Sequence, residues 1–390
     1  MEGGRLISGE KASMKLNQIP ELTGLRGLAA LLIVINHMVL LVPMLNRMGF
    51  SNGTWLCGVS GMSLFFVLSG IVIYYNYASM LAERPTEGVR RFFVARFARL
   101  YPLYIVFILG FFIWNAIYCP GQLSQNITSL PLFLAGMQSW IYGYIDGTEL
   151  IYLQGSANIS WSISTEFALY FLFVPVAILL GNANVRKAFI VLFLAILLQF
   201  VYVYCICNVP CLTAWADSVF PGHPGAIGIY LTYHSPLGRS FEFLSGCAIG
   251  MFFTCKNKSA LAGVRSLTCF SAVSWALALL CGILAVRGTF PNWTPVLVST
   301  GLILFCSGLP HFGARIFRWR VLLFLGDVSY SAYLLHIIFV IALRYDGCEK
   351  WTIARTICVF LAATYFFAWM SFKWFESPAR RFIRNYATQH

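Results

Sequence analysis

The chain has 390 residues, 59% of them hydrophobic and 11% charged, where a soluble domain averages roughly 45–50% and about 25%. Mean hydropathy is +0.75, too high for so few charges to hide the apolar surface from water, so lipid is the solvent for most of the chain. A disordered protein, a secreted disulfide scaffold and a nucleic-acid-binding domain are excluded as the main reading, and the net charge of +13 reflects Lys and Arg held in cytoplasmic loops.

A spanning helix needs about 20 apolar residues. Ten stretches qualify: 28–46, 59–78, 100–118, 159–180, 188–207, 233–254, 267–286, 294–310, 321–343 and 351–375. The first apolar run, Leu28–Val42, has no small-residue cleavage site and reads as a retained helix, not a leader. The 131–145 stretch is too short and broken to span, and reads as an interfacial or re-entrant piece. With the N-terminus inside, 21 of the 27 Lys and Arg fall on the inner side. That asymmetry favours both termini inside and an even number of spans. The expected class is an all-α polytopic integral membrane protein of about ten transmembrane helices with both termini cytoplasmic. It forms one membrane domain over 1–390. The 12 Cys are scattered through apolar segments without a CxxC pair, which fits buried hydrophobes better than a metal site. Whether Cys119, Cys207, Cys211 and Cys348, in candidate outer loops, pair with one another is left open. The longest outer segments, 119–158 and 208–232, are rich in Trp, Tyr, Gly and Pro. They suit a cap, a sugar contact or plain interfacial aromatics.

Ionisable groups inside spans are costly unless paired or hydrated. His37 follows Arg26 by eleven residues, which returns to within about 20° of the same helix face and roughly 16 Å further along. Asn36 is its neighbour. A lone buried His is more often structural, but the collinear Arg favours function. On the second span, Ser69 and Gly70 read first as a close-packing site. The 79–102 loop ends RRFFVARFARLYP; its Arg96 and Arg99 share a face at i, i+3 and suit phosphate oxygens, although an Arg cluster also fits anionic lipid headgroups. In WSISTEFALYF, Trp161, Ser162 and Glu166 open the fourth span, with Glu166 roughly 10 Å along it. A Glu166–His37 hydrogen bond would orient the imidazole; an ion pair of Glu166 with an Arg is the structural alternative. Arg239 and Glu242 at i, i+3 read as an internal ion pair. GDVSYSAYLLH places Ser329, Tyr330, Tyr333 and His336 on the ninth span.

Together these segments resemble the acyltransferase-3 family of integral membrane acyltransferases. The resemblance rests on LTGLRGLAALLIVINH with Arg26 and His37, SLFFVLSGIVI, RFFVARFARLYP with Arg96 and Arg99, WSISTEFALYF, GDVSYSAYLLH and FESPARRF. They occur in the family's order over about 17–382. It implies a ten-to-eleven-helix membrane fold, residence in the bacterial inner (cytoplasmic) membrane, and transfer of an acyl group, commonly acetyl, from acyl-CoA to a carbohydrate hydroxyl. A surface polysaccharide, an O-antigen or a lipid-linked precursor is the acceptor it suggests. It also implies catalytic importance for Arg26 and His37 and donor contacts for Arg96 and Arg99. Many relatives carry a further soluble hydrolase-like domain, which is not expected here.

The residues support a mechanism of this kind. Arg26, Arg96 and Arg99 bind the donor, His37 is the general base, and Glu166 orients it or binds the acceptor. Asn36, Ser69, Trp161, Ser162, Tyr330 and His336 are candidates for acceptor or oxyanion contacts. The expected partners are acyl-CoA (acetyl-CoA) as co-substrate, a carbohydrate acceptor and membrane lipids. No nucleic acid, metal or tightly bound cofactor is expected, and the oligomeric state is left open. Midplane His and Glu also describe a proton-coupled transporter of a modified glycan, though the chain has no repeated halves. A lipid acceptor is a further alternative.

Overall fold

The computed structural model describes residues 19–42, 51–181, 184–209, 211–254, 314–345 and 351–389. The expected spans 267–286 and 294–310, and Cys348, lie outside the described residues. Twelve helices are named here: α1 (Pro20–Met38), α2 (Ser51–Glu83), α3 (Pro85–Tyr118), α4 (Leu123–Ala135), α5 (Trp161–Leu180), α6 (Val185–Asn208), α7 (Cys211–Val219), α8 (Pro236–Thr254), α9 (Arg320–Asp327), α10 (Ser329–Tyr345), α11 (Ile353–Ser371) and α12 (Ser377–Gln389). Among the described residues the one sheet is a small antiparallel bridge, Tyr144 opposite Glu149 and Ile145 opposite Thr148.

Among the described residues, five helical stretches are long and apolar enough to cross a membrane: Thr54–Glu83, Pro85–Tyr118, Asn158–Leu180, Val185–Asn208 and Ile353–Ala387. The pair α9–α10, bent by 74°, makes a sixth if counted as one span. The expected spans 28–46 and 233–254 correspond to α1 and α8, which are more polar. Arg26, Asn36 and His37 interrupt the first, Arg239 and Glu242 the second. Neighbouring helices cover those charges instead of lipid, and α8 is buried along most of its length. α2 is the central helix, with 67% of its apolar window buried, against 22% for α6. The outward face of α6 shows Phe193, Leu197, Leu198 and Val201, the surface a lipid solvent tolerates.

Hydropathy undersized α2 and α3. Residues 79–102 are not a loop: α2 continues to Glu83, Arg84 alone interrupts, and α3 restarts at Pro85. Proline suits that first position because its missing N–H would be unpaired there anyway. α3 has 34 residues and is about 51 Å long, against a hydrocarbon core of about 30 Å. Its arginine-bearing first turns therefore project beyond the apolar layer as helix. At the other end of the chain, helix also continues past 375. A π-turn at Phe372–Glu376 precedes Pro378 and leads into α12. α12 docks beside α3, where Arg90 donates to the Ala387 carbonyl at 3.3 Å. The 131–145 stretch does not span: α4 ends at Gly136, whose φ of +66° closes the helix. Cys119, Cys207 and Cys211 are free thiols.

Helices α2 and α8 touch backbone to backbone. A Cβ on Gly70 would collide with the Phe243 carbonyl, and one on Gly246 with the Val67 carbonyl. The small-residue reading is thus a packing fact at Gly70. Gly70→Ala should push the helices apart and cost about 1–3 kcal/mol, the usual penalty of overpacking. The thermal midpoint in detergent measures it. Gly110→Ala, which meets nothing within 4 Å, should leave the midpoint in place.

Candidate active site

The main cavity, about 290 Å³, lies between α1, α2, α3, α5, α10 and α12. Five arginines line it: Arg26, Arg96, Arg99, Arg380 and Arg384, against three carboxylates, Glu166, Asp327 and Glu376. The excess of positive charge makes it an anion site. Each arginine is placed by a local feature. Arg96 and Arg99 stand one turn apart on α3. Arg96 is buried, donates to the Tyr77 hydroxyl at 3.2 Å and lies with its Cζ 5.1 Å from that ring's centroid. Its Nε is buried without a partner, as is the Nε of Arg380. Arg380 pairs with Glu376, which also accepts from Ser331 at 3.0 Å. Arg384 follows Arg380 by one turn of α12 and faces the same space.

Arg26 is held more firmly. Its Nε and Nη2 donate to the Gly326 carbonyl at 3.2 and 2.9 Å. That carbonyl sits at the 74° bend between α9 and α10. α1 reaches the bend because Gly24 and Gly27 on it, and Gly326 opposite, leave no room for a Cβ. Arg26 therefore lines the cavity and also pins the bend.

The expected Glu166–His37 hydrogen bond is not formed. Glu166 Oε1 accepts from Ser69 at 2.9 Å and from Tyr170 at 2.7 Å. α5 turns Glu166 toward α2, not toward the last turn of α1. His37 pairs instead with another histidine: its Nδ1 is 3.2 Å from Nε2 of His336 and 3.0 Å from the Ile33 carbonyl. Nor does His37 open onto the arginine cavity. Its lining includes Met62, Phe65, Ser162 and Tyr333 but not His37. Tyr333 donates to the Ile159 carbonyl at 2.5 Å and accepts from Ser162 at 2.7 Å. His336 lies beside it, ring centroids 6.0 Å apart, and His37 beyond that, 4.8 Å from His336. The eleven-residue spacing holds along α1, but His37 contacts His336 instead of lining the cavity.

Of the other expected contacts, Ser69, Ser162 and Tyr330 line the cavity, with their hydroxyl protons already committed. Ser69 donates to Glu166, Ser162 to Tyr333, and Tyr330 to the Leu100 carbonyl at 2.5 Å. None of the three is a free oxyanion donor. Asn36 packs against Gly58. Trp161 lies among Phe66, Tyr233 and His234. Sequence reasoning missed Arg380, Arg384, Glu376 and Asp327 as lining residues. The signal was present in FESPARRFIR, where Glu376, Arg380 and Arg384 recur every four residues, the spacing of one helix face. The aromatic segments 119–158 and 208–232 gather Tyr142, Tyr144, Phe220 and His223 into one ring cluster. Glu149 closes the strand bridge there, and burial pushes its carboxyl up to about 7.

An arginine-lined cavity and a histidine pair, in a bundle of long apolar helices, agree with the comparison to known families. Residues 19–372 match the acyltransferase domain. The chain belongs to the acyltransferase-3 family. Among curated proteins it is 23% identical over 380 residues to the peptidoglycan O-acetyltransferase OatA of Listeria monocytogenes, covering 93% of this chain and 56% of that one. It is 24% identical to the putative peptidoglycan O-acetyltransferase YrhL of Bacillus subtilis, covering 82% and 48%. Over 168 residues, 40% of this chain and 38% of the other, it is 31% identical to the acyltransferase MdmB of Streptomyces mycarofaciens. The chain spans about half the length of the first two relatives. No solved structure matches it.

Proposed function

We propose that this acyltransferase-3 protein is a membrane-embedded O-acyltransferase that moves an acetyl group from acetyl-CoA to a hydroxyl of a cell-surface glycan. The observation that carries the reading is the arginine cavity, with buried guanidinium N–H groups on Arg96 and Arg380 that have no partner among the described residues. An unsatisfied buried donor costs about 1–3 kcal/mol, and a phosphate oxygen is the acceptor best matched to it. The positive-inside rule puts this mouth on the cytoplasmic face, where CoA is found. Arg96, Arg99, Arg380 and Arg384 then hold the donor phosphates, and the pantetheine arm extends through the cavity toward Met62, Phe65 and Tyr333. From Arg26 to His37 the rise is about 16 Å, of the order of that arm's length. Phe65 and Tyr333 must part for the thioester to reach His37. Glu166 and Glu376 limit the net charge around the donor.

In the transfer, a nitrogen of His37 takes the acceptor O–H proton as the oxygen attacks the thioester carbon. The C–O bond forms, the C–S bond breaks, and the departing CoA thiolate recovers the proton from His37. The similarity to two relatives named as peptidoglycan O-acetyltransferases favours a peptidoglycan-type sugar as acceptor over a lipopolysaccharide. Membranes holding the protein, supplied with labelled acetyl-CoA, should yield an acetylated glycan. Glycan crossing the membrane unacetylated would overturn the reading in favour of a carrier.

The donor site makes its own prediction. A hydrogen bond to a charged group contributes about 1.5–3 kcal/mol. Arg96→Ala combined with Arg99→Ala should therefore raise the KM for acetyl-CoA by about 100-fold or more, with a smaller change in kcat. An unchanged KM would return both arginines to contact with anionic lipid.

A further inference from the structure

The histidine pair has a direction. His336 is fully buried on α10, and its Nδ1 lies 3.2 Å from the Ala332 carbonyl one turn back. A carbonyl only accepts, so the proton of this ring belongs on Nδ1, and its Nε2 carries a lone pair. That lone pair faces Nδ1 of His37 at 3.2 Å. Nδ1 of His37 also faces a carbonyl, that of Ile33, at 3.0 Å. Both neighbours of this nitrogen are acceptors, so it carries the proton of its ring. The network thus assigns the tautomers, and Nε2 of His37 is left with the free lone pair. With the opposite assignment, the lone pair on each Nδ1 would point at a carbonyl oxygen.

We infer that His336 is the positioning residue of the transfer reaction: it accepts the Nδ1 proton of His37, fixing the tautomer that presents Nε2 as the base. This rests on the reading of His37 as general base. A ring held by the Ile33 carbonyl alone can swing about that single bond; a second acceptor on another helix fixes its plane. The bond strengthens when His37 takes up the acceptor proton, because the Nδ1–H then belongs to an imidazolium. His336 contributes at the step where charge develops, without touching either substrate. It also explains a fully buried imidazole on a membrane helix, a group that is otherwise expensive.

The test compares His336→Gln with His336→Leu. The Gln amide oxygen reaches the place of Nε2 and can still accept; Leu fills similar space and cannot. Loss of one hydrogen bond of about 1–1.5 kcal/mol is about tenfold in rate. The Leu variant should lose about tenfold or more in kcat with the donor KM unchanged, and the Gln variant should recover most of that loss. Equal kcat in the two variants, high or low, overturns the proposal, since packing alone would not separate them. Should the Leu variant fail to fold, ¹⁵N-histidine NMR of the intact protein decides. It should show the His37 proton on Nδ1 in the wild type; a wild-type proton on Nε2 refutes the assignment. His37→Ala separates the two levels. Wild-type activity in that variant removes the base itself, whereas its inactivity beside a fully active His336→Leu removes only the positioning role.

Discussion

His37→Ala is expected to lower acyl transfer by about 10²–10⁴-fold, the usual contribution of a positioned general base, while acetyl-CoA still binds. The separation of these two effects follows from the geometry. His37 is not among the residues lining the arginine cavity, so removing its ring leaves the guanidinium groups, their ion pairs and the Tyr77 contact in place. The loss should therefore appear in kcat and leave the donor KM close to wild type. The variant should also stay folded, because His37 is only half-buried and its main-chain bonds are those of an ordinary last helical turn. Steady-state kinetics on purified protein in detergent, with a donor titration, measures both quantities. A kcat near wild type would end the general-base role. A raised donor KM with intact kcat would place His37 on the donor arm, closer to the arginines than the aromatic wall allows.

How far this site could be read from sequence depends on what each signal reports. Hydropathy reports contact with lipid. It located α2, α3, α5, α6 and α11 but shortened α2 and α3, since the turns of α3 holding Arg90, Arg91, Arg96 and Arg99 are helical and polar at once. The i, i+3 spacing of Arg96 and Arg99 is local and survived unchanged, because a helix fixes which residues share a face whatever surrounds it. The Arg239–Glu242 pair was legible for the same reason. Glu166 was different. Its depth along α5 could be counted, but its partner depended on the rotation of α5 against α2, which only packing decides. Ser69 was there to receive it, and His37 was not. The histidine pair joins residues 299 apart in sequence, and no local pattern encodes such a contact. GDVSYSAYLLH drew attention to His336 through the rarity of an imidazole in an apolar run, which identifies a residue but not its partner. Arg380 and Arg384 were hidden by the opposite error: a basic terminal segment fits the positive-inside rule so readily that its helical spacing went unused.

Glu242→Ala should destabilise the protein by about 3–5 kcal/mol, the cost of leaving one member of a buried ion pair uncompensated. The pair is fully enclosed, with both side chains 1% exposed and Arg239 Nη1 3.0 and 3.1 Å from the two carboxylate oxygens. Ser63 on α2 donates to the same carboxylate at 2.9 Å, and Arg239 Nε donates to the Tyr233 carbonyl at 2.7 Å. The guanidinium also lies 4.2 Å from the centroid of the Tyr233 ring. With Glu242 gone, that cation keeps a carbonyl and an aromatic face but no opposite charge, between helices whose backbones already touch at Gly70 and Gly246. The thermal midpoint should fall sharply. Replacing the whole pair, Arg239→Met with Glu242→Leu, should recover much of the loss, since a well-packed apolar pair avoids the desolvation that the ion pair only offsets. The double variant also discriminates function from architecture. Neither side chain lines the arginine cavity, so at a temperature where it is folded it should transfer acetyl groups at close to the wild-type rate. Inactivity in a folded double variant would give this ion pair a chemical role that its enclosed position argues against.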